Sequence, residues 1–293
     1  MALFSKRSPQ NEEQAARDKA DQERLSRGGL PLGAELRLTE IRKNGRFFTS
    51  NLSVSELALA ATEGVRPLGQ VMGSTVYHVG WQYTPMYSST ELVTLTHAQY
   101  HARLLAISRL QQEARLLGAS GVIGVRLERK SYDWGTNLLE FAASGTAVSL
   151  PDRPTPEHPF VCALSGQEFY ALRRGGFFPV GFAFGNCTYY HVASYTNQWA
   201  SQSWGNVELT DYTQATYIAR HAAMSRLSEE AARVSGEGVV GVTIEDYINT
   251  YEVELGNDQK RRDLIVEFTA LGTAIVADGP DTLTIDYALP LTD

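Results

Sequence analysis

Apolar positions recur at helical steps twice along the chain. The first stripe runs Tyr100, Leu104, Ile107, Leu110, Ala114 and Leu117, at steps of three and four. The second runs Tyr217, His221, Met224, Leu227, Ala231 and Val234. Each predicts a helix of about 20 residues with one buried face. Thr96, with Gln99 three residues on, reads as a capping box at the start of the first helix. Gly118 and Gly236 read as the two stops. Short β-branched runs follow at once, Val122-Ile123-Gly124-Val125 and Val239-Val240-Gly241-Val242, and predict buried strands. A hairpin then leads to a last strand at Phe141 or Phe268. The second hairpin is longer by ten residues and turns at Gly256-Asn257. Ahead of each helix come an apolar stretch (Leu57 to Ala61; Phe169 to Leu172), a Gly-punctuated strand from Val71 or Gly181, and a polar, aromatic loop.

These parallels are residue by residue. Residues 100–128 align without a gap on 217–245, so that Tyr100, Arg103, Ser108, Arg109, Leu110 and Glu113 meet Tyr217, Arg220, Ser225, Arg226, Leu227 and Glu230. Glu140 to Val148 meets Glu267 to Ile275, and Pro67-Leu68-Gly69 meets Pro179-Val180-Gly181. The Tyr77-His78-Val79 triplet is matched to Tyr190-His191-Val192. The expected organisation is therefore a tandem duplication. A charged helical leader spans 1–46, module 1 spans 47–150, a proline-rich linker 151–159, module 2 160–277, and a C-terminal strand and tail 278–293. The leader helix is expected over residues 8–27, between Ser8-Pro9 and Gly28-Gly29. The linker, with Pro151, Pro154, Pro156 and Pro159, is expected to be stiff and extended.

The order strand, helix, strand, strand predicts an α+β fold, with one long helix on each small antiparallel sheet. One helix covers one face. The other face and the sheet edges need a sister module or another chain, which predicts a homo-oligomer.

Charge narrows the partners. The net charge is -7, and residues 1–46 carry +3, leaving an acidic body at about -10. This disfavours nucleic acid, which selects clustered basic surface. Nothing approaches the roughly 18 consecutive apolar residues of a membrane span, and residues 1–7 turn polar too early for a secretory signal. Cys162 and Cys187 are the two cysteines and lack CxxC spacing, so a reducing cytoplasm is expected.

The segment Ala102 to Val125, its copy Ala219 to Val242, and the closing runs Glu140 to Val148 and Glu267 to Ile275 resemble the bacterial YbjQ-like family, labelled a heavy-metal-binding domain. The resemblance implies a small α+β subunit that assembles as a ring, typically a pentamer with a central barrel. It also raises a divalent heavy metal as a ligand.

Candidate chemistry is sparse. His97 and His101 share a helix face, but their counterparts are Gln214 and Ile218. His78 and His191, matched by the triplet alignment, are the metal candidates. Gly236 to Gly241 fits GxGxxG, yet the helix precedes it and the strand follows, the reverse of a dinucleotide site. Arg109/Glu113 and Arg226/Glu230 read as ion pairs on the helix surface or at an interface. No nucleophile elbow, HExxH or P-loop occurs. The pre-helix loops hold Trp81, Tyr83 and Tyr87, and Tyr195, Trp199 and Trp204, candidate contacts for a protein or small-molecule ligand. The leading expectation is a non-enzymatic scaffold or binding protein. The alternatives are a metal-binding protein using the strand histidines and an enzyme with a pocket at a subunit interface.

Overall fold

Both periodic segments are long helices, and each lies across the sheet formed by its flanking strands. A computed structural model describes residues 9–44, 48–62, 64–79, 85, 87–131, 138–153, 155–194, 205–256 and 259–279. The leader holds α1 (Pro9–Ser26) and α2 (Leu32–Asn44). The first half continues with α3 (Val54–Thr62), β1 (Arg66–His78), β2 (Thr90–Glu91), α4 (Val93–Leu117), β3 (Gly121–Ser131) and β4 (Leu138–Ser149). The second half holds β5 (Phe160–Val161), α5 (Gly166–Arg174), β6 (Phe177–His191), α6 (Thr210–Arg233), β7 (Gly238–Gly256) and β8 (Gln259–Ala277). Apart from the two-residue strands β2 and β5, both halves run short helix, strand, long helix, strand, strand.

The strands form two four-stranded sheets, ordered β1-β4-β3-β5 and β2-β6-β8-β7. Every pairing is antiparallel except β5 on β3. The class is α+β. Two of the strands cross between the halves. β2 comes from the first half and pairs with β6 of the second, while β5 opens the second half and pairs with β3 of the first. The largest apolar cluster accordingly takes Phe184 and Leu271 from the second half into a core built on Leu110, Val122 and Phe141.

Helix and sheet approach closely at one glycine in each half. A Cβ on Gly73 would sit 2.0 Å from the Ala106 carbonyl oxygen, and one on Gly185 would sit 2.1 Å from that of Ala223. Gly124 and Gly241 mark matching bulges in β3 and β7, with φ of 63° and 61°.

Several local expectations need correcting. The first helix starts at Val93 after Leu92, with no side-chain cap, so Thr96 and Gln99 do not form a capping box. Both are buried and bond across to the second half, as described below. Capping boxes do occur at Ser165/Glu168, and Ser53 and Glu56 exchange the same pair of bonds. Each starts a short helix where the sequence showed an apolar stretch. The left-handed residue after α6 is Ser235 rather than Gly236, because Ser235 is the register equivalent of Gly118. The leader carries a second helix, α2, whose Leu38 is fully buried. The linker is pinned: Asp152 pairs with Arg173 and Arg153 with Asp278, and residues 151–153 turn. Asn257 of the expected hairpin turn and most of the expected C-terminal strand lie outside the described residues.

Adding one methyl at the helix crossing tests this packing. Gly73→Ala and Gly185→Ala push on helix backbone that has nowhere to move, so each is expected to cost about 1–3 kcal/mol or more. Thermal unfolding followed by circular dichroism reads this as a lowered midpoint for both variants.

Candidate functional site

The seam between the halves gathers the buried polar side chains of Thr96, Gln99, Arg103, Asn186, Thr188 and Thr269. From α4, Thr96, Gln99 and Arg103 meet the second sheet at β6 and β8. The Thr188 amide donates to Thr96 Oγ1 at 3.0 Å, and Asn186 Nδ2 donates to the Thr96 carbonyl at 3.0 Å. Gln99 Nε2 donates to Glu267 Oε2 at 2.8 Å, and Arg129 also pairs with Glu267. Arg103 Nη2 donates to Thr269 Oγ1 at 3.0 Å while its guanidinium lies 4.5 Å from the Phe141 ring centre. Burial pulls the Arg103 pKa down to about 10.

A second cluster clamps β2. Arg226 donates to Glu91 Oε1 at 2.7 Å and Oε2 at 2.9 Å, a two-pronged pair, and to the Asn186 carbonyl at 2.7 Å. Burial alone would raise the Glu91 carboxyl. Hydrogen bonds from Arg226 and Thr96 outweigh it, and the net shift is downward. Beside this clamp lies a cleft of about 270 Å³ lined by His97, Tyr100, His101, Glu229, Glu230 and Arg233. The Tyr100 hydroxyl donates to Glu230, and burial together with that carboxylate raises the phenol to about 12. The phenol and Glu91 are both driven away from neutrality, which suits structure rather than proton transfer. Of the ion pairs expected on the helix surface or at an interface, Arg109 does not pair with Glu113 nor Arg226 with Glu230; Glu230 pairs instead with Arg233 on its own helix. Arg226 holds Glu91, whereas Glu113 accepts from Arg37 and from the Met72 amide at 2.9 Å.

Strand register separates the two candidate metal ligands. Tyr77 opposes Leu139 and Tyr189 opposes Val266, so these tyrosines are equivalent. His78 is then the equivalent of Tyr190, not of His191. The triplet match is off by one residue, and one residue turns a side chain to the opposite face. His78 is exposed at the end of β1. His191 is half-buried, with Nδ1 3.1 Å from Ser89 Oγ and Nε2 3.4 Å from Asp211 Oδ2. Among the described residues no group of three or more His, Cys, Asp or Glu is placed to hold a metal ion. Burial raises both thiols, Cys162 and Cys187, to about 12, where they are protonated at neutral pH.

Tyr190 leads instead to a buried triad that sequence reading missed. Asp263 accepts from Arg261 Nε at 2.6 Å and Nη2 at 2.8 Å, from the Ala193 amide at 3.0 Å, and from the Tyr190 hydroxyl. Burial opposes ionisation of Asp263, but the Arg261 and Tyr190 hydrogen bonds hold its pKa below the usual carboxylate value. Arg261 and Asp263 are two apart on one strand, a spacing that puts both side chains on one face. Of the aromatic-loop residues, Tyr87 is exposed, and Trp81, Tyr83, Tyr195, Trp199 and Trp204 lie outside the described residues.

A long helix across a bulged antiparallel sheet, closed by the Glu140-to-Val148 strand, places the chain in a known class. The family model described as "Putative heavy-metal-binding" (YbjQ) matches residues 59–151. A relative from Pseudothermotoga lettingae, a UPF0145 protein, is 31% identical over 97 residues, covering 31% of this chain and 90% of the relative. The chain belongs to this YbjQ-like family. A longer relative, the "Encapsulin nanocompartment protein Rv1762c" of Mycobacterium tuberculosis, is 39% identical over 267 residues, covering 89% of this chain and 97% of the relative. No solved structure matches the chain. Among the described residues no helix is long and apolar enough to cross a membrane.

Three substitutions test the site. Asp263→Ala removes the carboxylate that holds the buried Arg261 guanidinium and the Tyr190 hydroxyl, and is expected to cost about 3 kcal/mol. Because the folded pKa of Asp263 is depressed, its contribution is complete above the unfolded value of about 3.9 and is lost as pH falls through the folded value. Urea unfolding of the variant should therefore lose most stability at neutral pH and converge on wild type in acid. His191→Ala should lower stability by about 1 kcal/mol through its lost polar contacts, while His78→Ala stays within about 0.5 kcal/mol of wild type. Equal effects at both histidines, with loss of a bound metal, would restore the metal reading.

Proposed function

We propose that the chain is a non-enzymatic, self-assembling scaffold or binding protein that works with an encapsulin-type nanocompartment in the cytoplasm. The observation that carries this reading is the seam. Each half completes the other by lending a strand, β2 in one direction and β5 in the other. A sheet edge finished by a like neighbour is a surface made for assembly. The compartment setting is supported by the relative named as an encapsulin nanocompartment protein, 97% of whose length is covered. The cleft beside Tyr100 and the displaced pKa values favour binding over catalysis. The aromatic loops, represented by exposed Tyr87, and the charged leader are the proposed partner-facing surfaces.

Co-fractionation tests the proposal. The full chain is expressed with an encapsulin shell protein, and the lysate is sedimented through a sucrose gradient. The chain is expected in the fast-sedimenting particle fraction, and Tyr87→Ala should reduce that share. Assembled particles with all of the chain left near the top of the gradient would overturn the compartment reading.

A further inference from the structure

We infer that the outer face of the second half docks on the first half of a second copy, head to tail, and that α1 competes for this dock. The inference rests on the self-assembly reading above and specifies its surface. The chain supplies its own template, because each half contains the same elements and the intrachain seam covers one set of them.

Burial differs between equivalent positions. Val125, Leu127, Phe184 and Thr188 are buried in the seam. Their equivalents off the seam are 41% exposed at Val242, 47% at Ile244, 51% at Met72 and 59% at Val76. Tyr100 packs its ring 5.0 Å from Phe184, whereas its equivalent Tyr217 is 62% exposed. These exposed residues fall into two matching sets. Val242, Ile244 and Tyr217 lie on the face that would give, and Met72 and Val76 on the face that would receive.

The sheet edges tell the same story. β1 and β7 end their sheets, yet their equivalents β6 and β3 each carry an added strand. Gly124 and Val125 donate to the Leu164 and Cys162 carbonyls at 2.9 and 3.0 Å. Gly241 and Val242 occupy the same bulge on the uncovered edge. Phe160 fills the space above Gly121, where a Cβ would meet its ring at 2.2 Å. Above the equivalent Gly238 the nearest such neighbour is Ile275 at 3.8 Å, and Phe48, the equivalent of Phe160, is exposed. Residues 48–49 of the next copy therefore add to β7, and residues 207–208 of this copy add to β1 of the next.

The first-half counterpart of the Arg226 clamp has a substitute partner. Arg109 donates to the Ser74 carbonyl at 2.6 Å, as Arg226 does to that of Asn186. Where Arg226 takes Glu91, Arg109 Nη2 takes the Leu25 carbonyl at 3.0 Å. Glu208, the equivalent of Glu91, is exposed. The end of α1 thus holds the seat that Glu208 of another copy would take.

Light scattering on the full chain tests the dock, using Met72→Lys, Tyr217→Asp, their equimolar mixture, and a chain lacking residues 1–27. Both side chains are exposed, so neither change threatens the fold. Wild type is expected above the mass of one chain. Each single variant should fall to one chain. The mixture should regain a mass above one chain, because the unaltered Tyr217 face of one variant meets the unaltered Met72 face of the other, and at the alternate joint the introduced carboxylate meets the introduced ammonium. Removing α1 should tighten association roughly tenfold or more, about 1.4 kcal/mol. A monomeric wild type that assembles once α1 is removed also supports the proposal. Single variants that keep the wild-type mass would overturn this dock but leave self-assembly standing. Wild type and truncated chain both monomeric at every concentration would overturn both.

Discussion

An open sheet edge is the constraint on which this architecture turns. Unpaired backbone amides and carbonyls on an edge strand must find water or another strand. Here each half is too small to close its own sheet, and the chain resolves this by exchange. The two residues of β2 reach forward to β6, and the two of β5 reach back to β3. The contacts that then form across the seam follow from that exchange. β2 carries Glu91 to Arg226 and sets the entry of α4, whose Thr96, Gln99 and Arg103 meet the second sheet.

Much of the fold was legible in the sequence because it rests on periodicity. The stripes from Tyr100 and Tyr217 predicted both long helices, and the β-branched runs after them predicted β3 and β7. The misses share a cause. Thr96 and Gln99 have capping spacing, but their polar groups are spent on the other half, a use that no local pattern encodes. Leu38 and Ile41 on α2 sit in a charged segment, and two core residues one turn apart make too short a stripe to read as a period. The short helices α3 and α5 were read as apolar stretches, although the Ser-x-x-Glu signal at Ser53 and Ser165 was there to find.

The site was less legible. Adjacent tyrosine and histidine letters invited a match between His78 and His191, whereas hydrogen-bond register, not letter identity, decides which strand residues share a face. The same register exposed the Tyr190–Asp263–Arg261 triad, whose partners are 73 and 2 residues apart in sequence. Arg261 and Asp263 alone could have been noticed as a charged pair at strand spacing. Nothing local points from them to Tyr190.

Carrying two halves in one chain also restricts symmetry. Any closed ring made of whole chains contains an even number of modules, so the five-module ring implied by the single-module resemblance is not open to it. Such a ring would alternate covalently tied seams with seams held by contact alone. The tied seams, fixed by β2 and β5, would persist on dilution, and the ring would open at every second joint.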